Sequence, residues 1–245
     1  MSYQFKKMSL ASAVALSFLA AGASASTVDL TYHGASSGND AKGVKIKNAP
    51  ATSGANTPLI AGAFGFKMRT DAVDPLTEFL AWCLDIGSNL GTNGSFEYKV
   101  TNTPFSNSFG LDPDQRGRVQ SVFDANYGML DIADGIEAAG FQVALWDALY
   151  DDDGDASAGD FRISSGYGYG YGADIIKQAN YFLRDANMYK GGKVFNLTFF
   201  ESTGEGAAKK QNLVTATPVP LPAAGLLFLG ALGGLAALRR RKAAV

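Results

Sequence analysis

Between Ser26 and about Val100 the apolar residues come in short runs separated by Gly, Asn, Ser and Pro, as in TVDLTYHG, PLIAGAFGFKMR, FLAWCLDI and SFEYKV. Runs of this kind, bounded by turn formers, predict strands. The period then changes. In LDPDQRGRVQSVFDANYG, Asp112 stands as N-cap and Pro113 at the first helical position, and Val119, Val122, Phe123 and Tyr127 follow at helical spacing. A second helix is predicted from Ile136 to Tyr150, and a third, ADIIKQANYFLRDA, from Ala173 to Ala186. Alternation returns in KVFNLTFFE and QNLVTAT, which STGEGAAKK joins as a closing hairpin. The pattern is that of an α+β chain in which a helical section is inserted between two sets of strands.

The two ends follow other rules. Residues 1–25 carry Lys6 and Lys7, then MSLASAVALSFLAAGA, then Ala23, Ser24 and Ala25. That order of basic, apolar and small residues is that of a secretory signal peptide cut after Ala25. At the other end Val219, Pro220, Leu221 and Pro222 precede sixteen apolar residues, Ala223 to Leu238, and then Arg239, Arg240, Arg241 and Lys242. Sixteen is short for a permanent transmembrane helix, which needs about 20. The basic cluster stays on the cytoplasmic side, so the chain halts in the inner membrane with its body outside.

These three parts, VPLPA, apolar segment and arginine cluster, closely resemble the PEP-CTERM sorting signals of bacteria. The resemblance implies an exosortase-type processing enzyme as partner, transient insertion of the C-terminal segment in the inner membrane, removal of the tail, and delivery to the cell surface or extracellular matrix. A simple C-terminal anchor is the alternative. The expected organisation is a signal peptide at 1–25, one mature domain at 26–217 and a sorting signal at 218–245.

Charge and composition narrow the function. The ends hold six of the 21 basic residues and none of the 23 acidic ones, which leaves the mature part with 15 basic against 23 acidic residues, a net charge of −8. Such a surface offers no broad basic field for phosphates, so nucleic acid is not an expected partner. One His and one Cys cannot build a zinc site of the usual ligands. A nucleophile paired with a histidine would rest on His33 alone, which reads as a surface residue. A hydrolase using acidic residues such as Asp147 or Asp151 lacks a recognisable carboxylate pair. DDDGDASAGD, residues 151–160, fails the Gly and Glu positions of an EF-hand loop and reads as a solvated acidic loop, with a weak calcium site as the alternative. SSGYGYGYG places Tyr167, Tyr169 and Tyr171 on a glycine-rich loop, expected to be exposed and available for contact with a partner.

The remaining question is the single cysteine. If FLAWCLDI is a strand, Phe79, Ala81, Cys83 and Asp85 share one face and Leu80, Trp82, Leu84 and Ile86 the other. Both faces are largely apolar, so Cys83 should be buried. In an exported protein an unpartnered thiol invites oxidation or mispairing. In the second helix Gln142 lies in a stripe with Leu145, Trp146 and Leu149. A buried carboxamide costs about 1–3 kcal/mol unless its hydrogen bonds are met, so Gln142 needs a partner. That partner is either backbone or the thiol of Cys83, which could attack the side-chain carbonyl, expel ammonia and leave a thioester.

WCLD, from Trp82 to Asp85, and FQVALW, from Phe141 to Trp146 and including Leu145, resemble the paired motifs of bacterial surface thioester domains. Trp82 stands where a smaller aromatic residue or Leu is common. The flanking AGAFGFKM and QVALWDALYD resemble a group of PEP-CTERM proteins that carry the same pair. The resemblance implies a β-sandwich with a helical insertion, a Cys83–Gln142 thioester bridging strand and helix, and covalent attachment to an amine-bearing surface or matrix partner. It implies no cofactor, no metal and no enzymatic turnover. A thioester here closes a loop of about 59 residues, worth about 4 kcal/mol on the chain-entropy model. A passive matrix protein of the same fold, in which Cys83 and Gln142 merely pack, is the alternative.

Overall fold

The computed structural model describes residues 26–63, 65–70, 78–102, 107, 111–168 and 170–220. The expected signal peptide and the sorting signal from Leu221 onward lie outside them. Along the chain, β1 (Thr27–Ala35), β2 (Lys42–Asn48), β3 (Leu59–Ala63), β4 (Phe66–Thr70), β5 (Glu78–Cys83) and β6 (Ser95–Thr101) precede α1 (Pro113–Asn126) and α2 (Gly135–Tyr150). The short β7 (Arg162–Ile163) leads to α3 (Tyr171–Met188) and the final pair, β8 (Phe195–Ser202) and β9 (Leu213–Pro218). The α+β class stands.

The expected β-sandwich is corrected. Six antiparallel strands close a barrel in the order β1-β4-β5-β9-β8-β6, and β3-β2-β7 form a separate three-stranded sheet. β1 closes the ring: Leu30 faces Thr70 of β4 on one side and Phe96 of β6 on the other, and Thr31 likewise faces Arg69 and Ser95. Alternation in a strand says which side chains face inward; whether a sheet closes or stacks on another depends on edge pairing, which alternation does not encode. PLIAGAFGFKMR is likewise two strands, not one, because β3 pairs with β2 whereas β4 pairs with β1 and β5. β2, KGVKIKN, is absent from the strands that the pattern predicts. Its lysines mask an alternation in which Val44 and Ile46 are buried and Lys45 and Lys47 are exposed.

The helices start where local chemistry dictates. Gln115 N–H donates to Asp112 Oδ1 at 2.8 Å and Asp112 N–H to Gln115 Oε1 at 2.9 Å, a reciprocal cap that leaves Pro113 at the first position, where no N–H is required. Asp134 caps α2 by accepting from Ile136 and Glu137. Val119, Val122 and Phe123 are buried on α1. α2 departs from a one-stripe helix: every residue from Ala138 to Leu149 is buried, because α1, α3, β2 and β3 all pack on it. Gly140 lets α3 come close, since a Cβ there would sit 2.8 Å from Gln178 Cβ. Phe141 ties the parts together, with ring centroids 4.8 Å from Trp82 on β5, 5.2 Å from Phe123 on α1 and 5.8 Å from Phe182 on α3. The closing hairpin forms as read, β8 and β9 pairing from Phe195↔Pro218 to Phe200↔Leu213. Among the described residues no helix is long and apolar enough to cross a membrane.

Candidate functional site

Cys83 is the last residue of β5, paired with Leu213 of β9, and is 5% exposed. The strand carries it under α2, where Gln142 has no exposed surface. The two residues are strapped together. Gln142 Oε1 accepts from Cys83 N–H at 2.9 Å, and Gln142 Nε2 donates to Cys83 O at 2.8 Å. The carboxamide thus takes over the ladder bonds that end with the strand, and it sets its carbonyl carbon beside the residue that bears the thiol. The partner that a buried Gln142 requires is, in this geometry, the main chain of Cys83.

The thiol itself has a different partner. Cys83 Sγ donates to Gln211 Oε1 at 2.6 Å, and Gln211 Nε2 donates to Asp85 O at 2.8 Å. Asp85 is buried and accepts from Asn212 N–H at 2.6 Å and Ser88 N–H at 3.1 Å. Leu84 N–H donates to Asn212 O at 2.9 Å, and the Tyr150 hydroxyl accepts from Ile86 N–H and donates to Leu84 O. Burial, reinforced by the charge of Asp85, pushes the Cys83 thiol well up from its ordinary value, so sulfur is protonated at neutral pH. Burial also raises Asp85, against the lowering effect of the Asn212 N–H, of Lys209 and of Ser88. The site therefore holds one protonated nucleophile and two carboxamides, shielded from water.

The motif residues serve as walls. Trp82, Phe141, Leu145 and Trp146 are fully buried, Trp82 against Phe141 and Trp146 against Phe161. Room for the large Trp82 ring is made at Gly65, where a Cβ would stand 2.8 Å from the indole. Gln211 and Asn212 were missed by sequence reasoning. Two adjacent amides at the start of an apolar strand are a weak signal, and their partners lie 126 to 128 residues away.

Other candidates fall elsewhere. His33 is exposed on β1. The acidic loop is ordered by its own backbone: Asp151 accepts from Asp152, Asp153 and Phe161, Asp153 from Asp155, and Asp155 from Ser157 and Asn180. Among the described residues no three His, Cys, Asp or Glu side chains are placed to hold a metal ion. Tyr167 and Tyr171 are half-buried rather than exposed, their rings 6.5 Å apart edge to face, with Lys42 Nζ 5.6 Å from the Tyr171 ring, which already lies in α3. Tyr169 lies outside the described residues. Of the sorting residues, Val219 donates to Val194 O at 2.8 Å just past β9 and Pro220 follows it, whereas Leu221, Pro222, Arg239, Arg240 and Arg241, like Ala25 at the other end, lie outside the described residues.

No protein-family model and no curated protein matches the chain. Among solved structures it is similar to the N-terminal domain of the Streptococcus pyogenes pilus tip adhesin Cpa, with 13% identity, 74% of this chain and 96% of that one covered, and a TM-score of 0.41. It is also similar to the N-terminal thioester domain of a surface protein from Clostridium perfringens, with 11% identity, 73% and 100% covered, and a TM-score of 0.40.

Proposed function

We propose that this chain is an exported surface or extracellular-matrix protein that forms an internal thioester between Cys83 and Gln142 and uses it for covalent adhesion or cross-linking. The Cys83 sulfur attacks the Gln142 side-chain carbonyl; the C–S bond forms, the C–N bond breaks, and the thiol proton leaves with the nitrogen as ammonia. A partner's amine, such as a lysine side chain, then attacks the same carbon. The C–N bond of an amide forms, the C–S bond breaks, and the proton surrendered by the amine returns to sulfur. The chain is consumed in one event and is a tether, not an enzyme. Burial keeps water from the bond until a partner opens the site.

The observation that carries this reading is the strap between the Gln142 carboxamide and Cys83, which holds nucleophile and acyl carbon on neighbouring groups of a rigid strand and helix. Incubating the mature protein with methylamine tests it. An adduct on Gln142 with one newly titratable thiol is expected, and neither Cys83→Ala nor Gln142→Glu should give it. Absence of an adduct from the wild-type chain, even in mild denaturant that opens the site, would leave the passive matrix protein. That second reading has its own support, because the strap already satisfies Gln142 without a covalent bond.

Export and surface delivery rest on the signal peptide and the VPLPA tail, with an exosortase-type enzyme as processing partner and the apolar segment as a transient inner-membrane anchor. Replacing Arg239, Arg240 and Arg241 by Ser should leave unprocessed precursor, read as the larger band on a blot of the cell envelope. Normal maturation of that variant would remove the sorting assignment.

A further inference from the structure

We propose that Gln211 is a third participant in the acyl chemistry: its side-chain oxygen accepts the hydrogen bond of the Cys83 thiol while sulfur attacks Gln142, and accepts it again when an amine releases the thiol. The inference rests on the thioester reading and assigns within it a role to a residue outside both motifs.

The geometry is specific. Gln211 is 8% exposed, its main-chain N–H donates to Asn89 O at 3.2 Å, and its side-chain Nε2 donates to Asp85 O at 2.8 Å, so backbone and carboxamide are each held. Its oxygen then faces sulfur at 2.6 Å. Gln142 cannot play this part, since its own oxygen is committed to Cys83 N–H. Asp85 is held in turn by Asn212 and Ser88, which fixes the segment whose carbonyl orients Gln211.

The chemistry needs such an acceptor. Buried beside Asp85, sulfur reacts as a thiol and not as a thiolate. A neutral thiol that attacks a carbonyl gains positive charge on sulfur as the C–S bond forms, and its S–H becomes a much stronger donor. A hydrogen bond that is weak in the ground state is charge-assisted in the transition state, so it lowers the barrier instead of only stabilising the reactant. The proton passes to the departing nitrogen, and ammonia leaves. In aminolysis the same contact stabilises the same charge in reverse, as sulfur regains its proton.

The test measures the rate at which methylamine unmasks Cys83 in the mature chain, with mass mapping of the adduct, for wild type, Gln211→Leu and Gln211→Glu. Gln211→Leu, which removes the acceptor at similar volume, should slow the reaction by about tenfold or more. Gln211→Glu restores an oxygen at the same reach; it should recover most of the rate, and its rate relative to wild type, a ratio from which the titration of methylamine cancels, should change between about pH 5 and 8 as the new carboxyl ionises, which a purely structural role would not produce. Should Gln211→Leu fail to fold, that ratio decides alone: a Gln211→Glu to wild-type rate ratio that stays constant across the range overturns the role. A wild-type rate in folded Gln211→Leu overturns it as well, and so does an adduct mapped to Gln211 in place of Gln142. A wild-type chain with no bond and no adduct removes the reaction itself, which separates failure of the thioester reading from failure of Gln211.

Discussion

Gln142 and Asp147 stand on the same helix, five residues apart and both without exposed surface, and they meet burial in opposite ways. Gln142 is neutral and fully engaged with the main chain of Cys83. Neither carboxylate oxygen of Asp147 has a hydrogen-bond partner. Arg118, the cation whose charge acts on it, donates its Nε–H to Ala148 O at 2.8 Å. Burial, followed by the charges of Asp153, Asp151 and Asp155, therefore raises Asp147 to about 8, with Arg118 opposing. The contrast separates two uses of a buried polar group. An amide can complete a strand end and place a reactive carbon; a carboxyl next to an acidic loop survives only by keeping its proton.

The largest effect expected from breaking this contrast lies on the Gln142 side. Gln142→Leu strands the N–H of Cys83 at about 1–3 kcal/mol and removes about 4 kcal/mol of loop closure, the Nε2 donor having already left as ammonia, so denaturant melts should show a loss on the order of 5 kcal/mol or more. Cys83→Ala keeps a glutamine strap and sharpens the reading: a loss near 4 kcal/mol marks a covalent link, whereas about 1 kcal/mol marks packing alone.

On the other side Asp147→Asn should stabilise the protein, increasingly so with pH. The folded-state value of about 8 lies above the ordinary 3.8, so the folded chain holds a proton that the unfolded chain has released. The stability this gives is complete below about pH 4 and is lost as pH rises through about 8. Thermal melts should show little difference between variant and wild type at pH 4 and a gain of a few kcal/mol for the variant at pH 9, since each tenfold difference in proton affinity between folded and unfolded chain is worth about 1.4 kcal/mol. A constant difference across that range would mean that Asp147 is ionised throughout.

The smallest effect is expected from Gly140→Ala, an apolar control on the same helix. A Cβ there meets Gln178 Cβ at 2.8 Å and Ala179 N at 3.2 Å, so α3 must shift at a cost of about 1–3 kcal/mol, with no pH dependence and no change in the site of amine addition.

What the sequence made legible was local. The Asp112–Gln115 cap, the three helices and the β8–β9 hairpin follow from spacing within a few residues, and the need for a partner at Gln142 follows from a polar residue in an apolar stripe. What it hid was long-range. Closure of the barrel depends on β1 pairing with both β4 and β6, and the lysines of β2 conceal a strand whose buried half is only Val44 and Ile46. At the site, Cys83 and Gln142 were readable as a pair, but Gln211 and Asn212 reach it only because β9 pairs with β5. The tyrosine loop reads as free because of its glycines, whereas Tyr171 opens α3 and is covered by Lys42 and Tyr167.

A covalent link between Cys83 and Gln142 is read from the intact mass of the freshly purified mature chain. The mass expected is about 17 Da below that of the sequence, one ammonia, restored to the calculated value for each variant in Cys83→Ala and Gln142→Ala. A wild-type chain at full sequence mass, with a buried thiol that reacts only when the protein unfolds, would contradict it.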